Sequence, residues 1–209
     1  MNLTVIFIIG MLIAFVGVIP PGLLNMTAAK ISLKEGHVRG IMFSIGVCVV
    51  VFFQTYIAAM FARYLTHHQD VVDVLQRVAF VIFVLITVYY LAIAKSTSKT
   101  EVEPQSRSKH SRFFHGMFLS AINVFPIPYQ AYMTVTLASF GWLEFNPSMI
   151  ISYVFGAVTG TFVMFYVYIF FFDKIKNENM TSQKNMNYII GSITGIIAIV
   201  TLVNIIKEL

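Results

Sequence analysis

The chain reads as an all-α polytopic membrane protein: six transmembrane helices forming two inverted three-helix repeats, with the first and fourth helices broken at prolines. Three observations predict this. Of 209 residues, 58% are hydrophobic and only 11% charged, far outside the range of soluble globular domains. Six uncharged apolar runs are long enough, at about 1.5 Å per helical residue, to cross roughly 30 Å of hydrocarbon. Two interruptions, Pro20-Pro21-Gly22 and Pro126-Ile127-Pro128, fall at corresponding places in the two halves.

The first run begins at Leu3, reaches Ile19 and continues through the break to Ala29. It has no basic leading region and no small-residue cleavage site near its end, so it reads as a retained helix and not as a secretory signal. The others are Gly40 to Ala62, Val78 to Ala94, Phe113 to Phe140, Met149 to Phe172 and Tyr188 to Ile206. Helices are expected because hydrocarbon leaves each backbone polar group to be satisfied within its own segment, and no alternating strands of about ten residues occur. If the helices alternate in direction, eleven of the fourteen Lys and Arg residues fall on one side. Only Arg63, Arg77 and Lys207 fall on the other, so both termini are expected to face the periplasm. The net charge of +5 is then an orientation signal, and no nucleic-acid partner is expected.

Residues 96–112, rich in Ser, Thr and Lys, are expected to be a flexible cytoplasmic linker. They divide the chain into a first repeat (1–95) and a second (113–209). Setting GMLIAFVGVIPPG (10–22) over GMFLSAINVFPIP (116–128) aligns Gly10-Met11 with Gly116-Met117 and Pro20 with Pro126, at a constant offset of 106. Gly46 in the second helix has its counterpart in Gly156 of the fifth. With three helices per half, the halves enter the membrane from opposite sides, as in many secondary transporters whose solute site lies where matching helices are interrupted. Proline in a helix interior costs about 3 kcal/mol or more, and freed backbone groups at that depth are tolerated where protein or a water-filled cavity surrounds them.

The candidate solute-binding residues are therefore Pro20, Pro21, Gly22, Asn25, Gln54, Asn123, Pro126, Pro128 and Gln130. Asn25 opens a short helix whose dipole-positive end suits a carboxylate; a plain helix cap is the alternative. Gln54 and Thr55 lie deep in the second helix, where an amide needs a partner. Gly156-x-x-x-Gly160 and Gly191-x-x-x-Gly195 permit close helix contact, favouring packing within one chain over a homodimer through these helices. The spans carry no Asp, Glu, Lys or Arg, so no intramembrane carboxylate relay is visible. Glu35, Asp70 and Asp73 are expected to be solvated surface groups. No HExxH, GxSxG or P-loop pattern occurs; no enzyme, cofactor or metal site is expected.

The run PPGLLNMTAAKISLKEGHVRGIMFSIGVCVV resembles the N-terminal signature of the LysE/RhtB amino-acid exporter family, with Pro21-Gly22, Gly36, Gly40 and Gly46 at its positions. In the second half, the family's Gly and Asn-Pro pattern corresponds to Gly116, Asn123, Pro126 and Pro128, the asparagine here being separated from the first proline. Pro-Pro-Gly stands where Pro-Gly-Pro is commoner. The resemblance implies ion-gradient-driven export of amino acids or similar zwitterions across the bacterial inner membrane. A thiol-disulfide electron carrier of the CcdA type, from the same superfamily, needs two cysteines, and the chain has only Cys48; a small buried apolar role is expected for it. The alternatives are a carrier of metal or other inorganic ions, disfavoured by the missing ligands, and a non-transporting scaffold.

Overall fold

The computed structural model describes residues 2–19, 22–93 and 108–175, and beyond these 188, 191–192, 195–196, 198–199, 201–203 and 205–206. Pro20, Pro21 and most of the expected linker lie outside the described residues, among which no strand occurs. The helices are α1 (Leu3–Val18), α2 (Leu23–Glu35), α3 (His37–Leu65), α4 (Gln69–Val88), continued by a π-helical turn (Tyr89–Ile93), α5 (Lys109–Ile122), α6 (Pro126–Ser139) and α7 (Pro147–Ile175). By length and apolarity, α3 and residues Pro147–Phe171 of α7 could each cross a membrane. So could α1 and α2 taken together, which are bent by 78°. The second and fifth expected spans thus become single long helices, and the fourth becomes two. Lys109–Arg112, assigned to the linker, form the first turn of α5.

The chain divides into two compact units. In the larger, made of α1 to α3 and α5 to α7, α1 runs parallel to α7 in one register. Ser152 Oγ donates to the Leu3 carbonyl at 2.6 Å, and Tyr168 Oη donates to the Ile19 carbonyl at 2.8 Å, both at a separation of 149 residues. Between these points Gly156 and Gly160 lie against the carbonyls of Phe7 and Met11, at the same separation. The pair α3 and α5 is also parallel: Gly116 lies against the Phe43 carbonyl, and Ser120 Oγ donates to the Val47 carbonyl at 3.5 Å. A Cβ on Gly46 would run into the Phe113 carbonyl, and one on Gly156 into that of Phe7. Phe113 follows Phe7 by 106 positions and Gly156 follows Gly46 by 110, so the two helix contacts repeat one pattern.

Leu24, Ala28 and Ile31 of α2 close one core cluster with Phe43, Val47 and Val51 of α3 and Phe165 and Ile169 of α7. Phe53, Ile57 and Phe61 on α3 and Phe114, Phe118 and Ile122 on α5 face outward. Polar side chains, among them Asn25, Gln54, Arg112 and Gln130, are instead buried. This inside-out distribution is what hydrocarbon as solvent selects, since polar groups must find partners within the protein. The turn between α2 and α3 is made by Gly36 at φ +94°, a left-handed conformation that costs glycine nothing.

In the smaller unit, α4 and the π turn are accompanied by the described C-terminal helical residues. Gly191 lies against the side chain of Leu91, and Gly195 against Thr87 Cγ2. Both glycine pairs singled out in the sequence thus contact helices of their own chain. Cys48 is buried and free.

Glu35 corrects an expectation. It is not a solvated surface carboxylate: its side chain is 3% exposed and ion-paired to Arg112, which is equally buried. Arg112 Nε donates to Glu35 Oε2 at 2.9 Å and Nη2 to Oε1, forming a bidentate fork between the last residue of α2 and the first turn of α5. His115 Nδ1 lies 3.2 Å from Arg112 Nη1. The correction has a physical reason: a charge at this depth is tolerable only when paired and hydrogen-bonded.

Candidate functional site

Two helix ends stop inside the larger unit, and the carbonyls they release must be satisfied there. At the first break, between α1 and α2, Asn25 works on both sides. Its Oδ1 accepts from the N–H groups of Gly22 at 2.6 Å and Met26 at 2.9 Å, while Nδ2 donates to the Val18 carbonyl at 2.9 Å. Tyr168 of α7 takes the Ile19 carbonyl. Gly22 is the extended N-cap of α2, so the capping oxygen comes from Asn25 three residues on.

At the second break, between α5 and α6, the amide Nε2 of Gln54 on α3 donates to the carbonyls of Ser120 at 3.0 Å and Asn123 at 2.9 Å. The long helix of each half therefore ties off the broken end of the other: α7 at the first break, α3 at the second. The chemistry of the two breaks differs. At the start of α6, Pro126 and Pro128 have no N–H, while Ile127 and Tyr129 donate to the carbonyls of Val124 and Phe125. Donors are used up or deleted there, and the dipole-negative end of α5 faces the gap with no basic residue in its last turn. The first break is thus capped by a side chain of α2 itself, and the second by an amide reaching across from α3.

Of the nine candidate residues, Pro20 and Pro21 lie outside the described residues. Gly22 and Asn25 form the first break; Gln54 and Asn123 meet at the second through a backbone carbonyl. Pro126 opens α6, the position where a missing N–H costs least, and Pro128 in the same turn is exposed. Gln130 is buried and accepts a 2.5 Å hydrogen bond from Tyr153 of α7. Tyr129 reaches from α6 to α1: its ring packs on Gly17, and Oη donates to the Ile13 carbonyl at 3.0 Å. No hydrogen bond joins Asn25 to Asn123 among the described residues. Sequence reasoning passed over Tyr153 and Tyr168, whose hydroxyls sit among apolar neighbours and so had to find partners.

Gln54 Oε1 and Thr55 Oγ1 are buried without a hydrogen-bond partner, an arrangement that costs about 1–3 kcal/mol per group. Among the described residues, no group of three or more His, Cys, Asp or Glu side chains could hold a metal ion.

The doubly used amide of Asn25 makes a prediction. Asn25→Ala is expected to lower the unfolding free energy by about 1–3 kcal/mol, read as an earlier thermal transition of the purified chain. Asn25→Asp keeps the acceptor but cannot donate to Val18, and is expected to be no better than Ala. If Asp matches the parent, the bond across the break contributes nothing.

A protein-family model described as LysE type translocator matches residues 15–204 of the chain. No curated protein matches, and no solved structure does.

Proposed function

The chain belongs to the LysE type translocator family, and from that premise we propose that it exports amino acids or similar small zwitterions across the bacterial inner membrane. The protein is a membrane transporter by family. The observation that carries the finer proposal is the pair of interrupted helices: the start of α2 presents a dipole-positive end that suits a carboxylate, and the end of α5 a dipole-negative end, with no basic residue in its last turn, that suits an ammonium. Asn25 shapes the first of these, Gln54 and Asn123 the second, with Pro126 and Gln130 in the α6 segment that follows it.

Six spans as two inverted repeats, with periplasmic termini and alternating access by one half rocking against the other, complete the proposal. The parallel direction of α1 with α7 and of α3 with α5 supports it, because alternating spans numbered one and five, or two and four, run the same way. The recurrence of the Phe7–Gly156 contact as Phe113–Gly46 supports it too. An ion gradient would drive export.

The test is counterflow in proteoliposomes: vesicles loaded with unlabelled amino acids, uptake of each labelled one followed, and a Pro20→Ala/Pro126→Ala variant as control. Uptake by the parent that the variant loses is the expected result. No uptake of any amino acid would direct the proposal to another solute class.

A further inference from the structure

We propose that Gln54 Oε1 and Thr55 Oγ1 form the recognition point for a primary ammonium group on the solute, near the dipole-negative end of α5. The proposal deepens the transport reading above and rests on it. Both oxygens belong to successive residues of α3, with Gln54 6% exposed and Thr55 fully buried, and neither has a partner.

Neither vacancy is a matter of orientation alone. The Ser120 and Asn123 carbonyls only accept, so the amide nitrogen of Gln54 must face them. Its oxygen is left looking elsewhere with no donor to meet. Thr55 could satisfy itself on the carbonyl four residues back, the usual recourse of a helical threonine. Thr27, Thr87, Thr134, Thr136 and Thr159 all do so, and Thr55 does not. A buried hydroxyl that forgoes its local bond is held for another partner.

The charge of that partner follows from the surroundings. The dipole-negative end of α5 is beside Gln54, unopposed by any basic residue in its last turn, and prolines delete two donors from the facing start of α6. A carboxylate could take the Thr55 hydroxyl proton but would set its oxygens against Gln54 Oε1, which can only accept. A primary ammonium brings three N–H donors and a positive charge, and no acidic side chain in the spans competes for it.

The experiment compares the full chain with Thr55→Val, which keeps the β-branched shape and removes only the oxygen, and with Thr55→Ser, which keeps the hydroxyl. Gln54 is left intact because its nitrogen holds the α5 end. Thermal unfolding of the purified proteins is followed with propylammonium, propionate or alanine present. The expected result is that propylammonium and alanine protect the parent and Thr55→Ser while propionate alone does not. Thr55→Val should unfold no earlier than the parent when solute-free, yet bind propylammonium at least about tenfold more weakly. Equal protection of Thr55→Val and parent, or no protection of the parent by propylammonium, overturns the proposal. Amino-acid counterflow on the same proteins separates the two claims: undiminished uptake by Thr55→Val sinks the ammonium site alone, and absent uptake with propylammonium protection retained sinks amino-acid export alone.

Discussion

Arg112→Leu is expected to destabilise the protein by about 3–5 kcal/mol, the cost of leaving a buried partner charge uncompensated. Glu35 would keep a carboxylate that is 3% exposed and lose both arms of the guanidinium fork. The loss should appear as a sharply lower thermal transition and a poor yield of folded protein from membranes. The double variant Glu35→Leu/Arg112→Leu should recover most of it, since replacing both members of a buried pair by apolar groups is often close to neutral. Arg112→Lys should rescue only partly: an ammonium lacks the planar fork. If Arg112→Leu alone unfolds no earlier than the double variant, the pair does not compensate buried charge. Because the fork joins α2 of the first half to α5 of the second, its removal also loosens a contact across the proposed repeats.

Why this pair escaped the sequence, while the breaks did not, is a matter of range. A proline or an asparagine beside a glycine acts on its own turn, so Gly22, Asn25 and Pro126 declare the helix ends locally. The long runs at 40–62 and 149–172 declare α3 and α7 by composition, and the fourth run, 113–140, declares itself as two helices through its prolines. Glu35 and Arg112 are 77 residues apart, each just beyond an apolar run. There a charge counts as a loop residue and, for Arg112, as an orientation signal. Their burial comes from α2 folding back against α3 and α7, which no single window of sequence contains. Tyr168 was hidden differently, as one of ten tyrosines in a chain with twenty phenylalanines. Thr55 was placed deep in its helix by the sequence, but its unmet hydroxyl was not legible, because a helical threonine can bond its own backbone.

Gly46→Ala and Gly156→Ala are expected to be severe and closely matched. Each new Cβ would enter the backbone carbonyl of an adjacent helix, Phe113 for the first and Phe7 for the second. A carbonyl held in a helix cannot rotate aside, so the helices must separate, and the loss should reach or exceed about 3 kcal/mol, the upper end of ordinary overpacking. Gly195→Ala is the control: its Cβ would meet Thr87 Cγ2 at 3.3 Å, a side-chain atom that can yield, and the exchange should lie within about 0.5 kcal/mol of neutral. The comparison between the first two carries the structural argument. A close approach can arise once from local packing, but these two use Phe7 and Phe113, Met11 and Met117, Gly46 and Gly156, at offsets of 106 and 110. If the halves are one unit used twice in opposite orientation, both exchanges break the same contact, and their unfolding transitions should fall by the same amount to within about 1 kcal/mol. A severe Gly46→Ala beside a tolerated Gly156→Ala would mean that the two contacts only look alike. The inverted repeat would then lose the support that makes the unlike breaks two halves of one solute site.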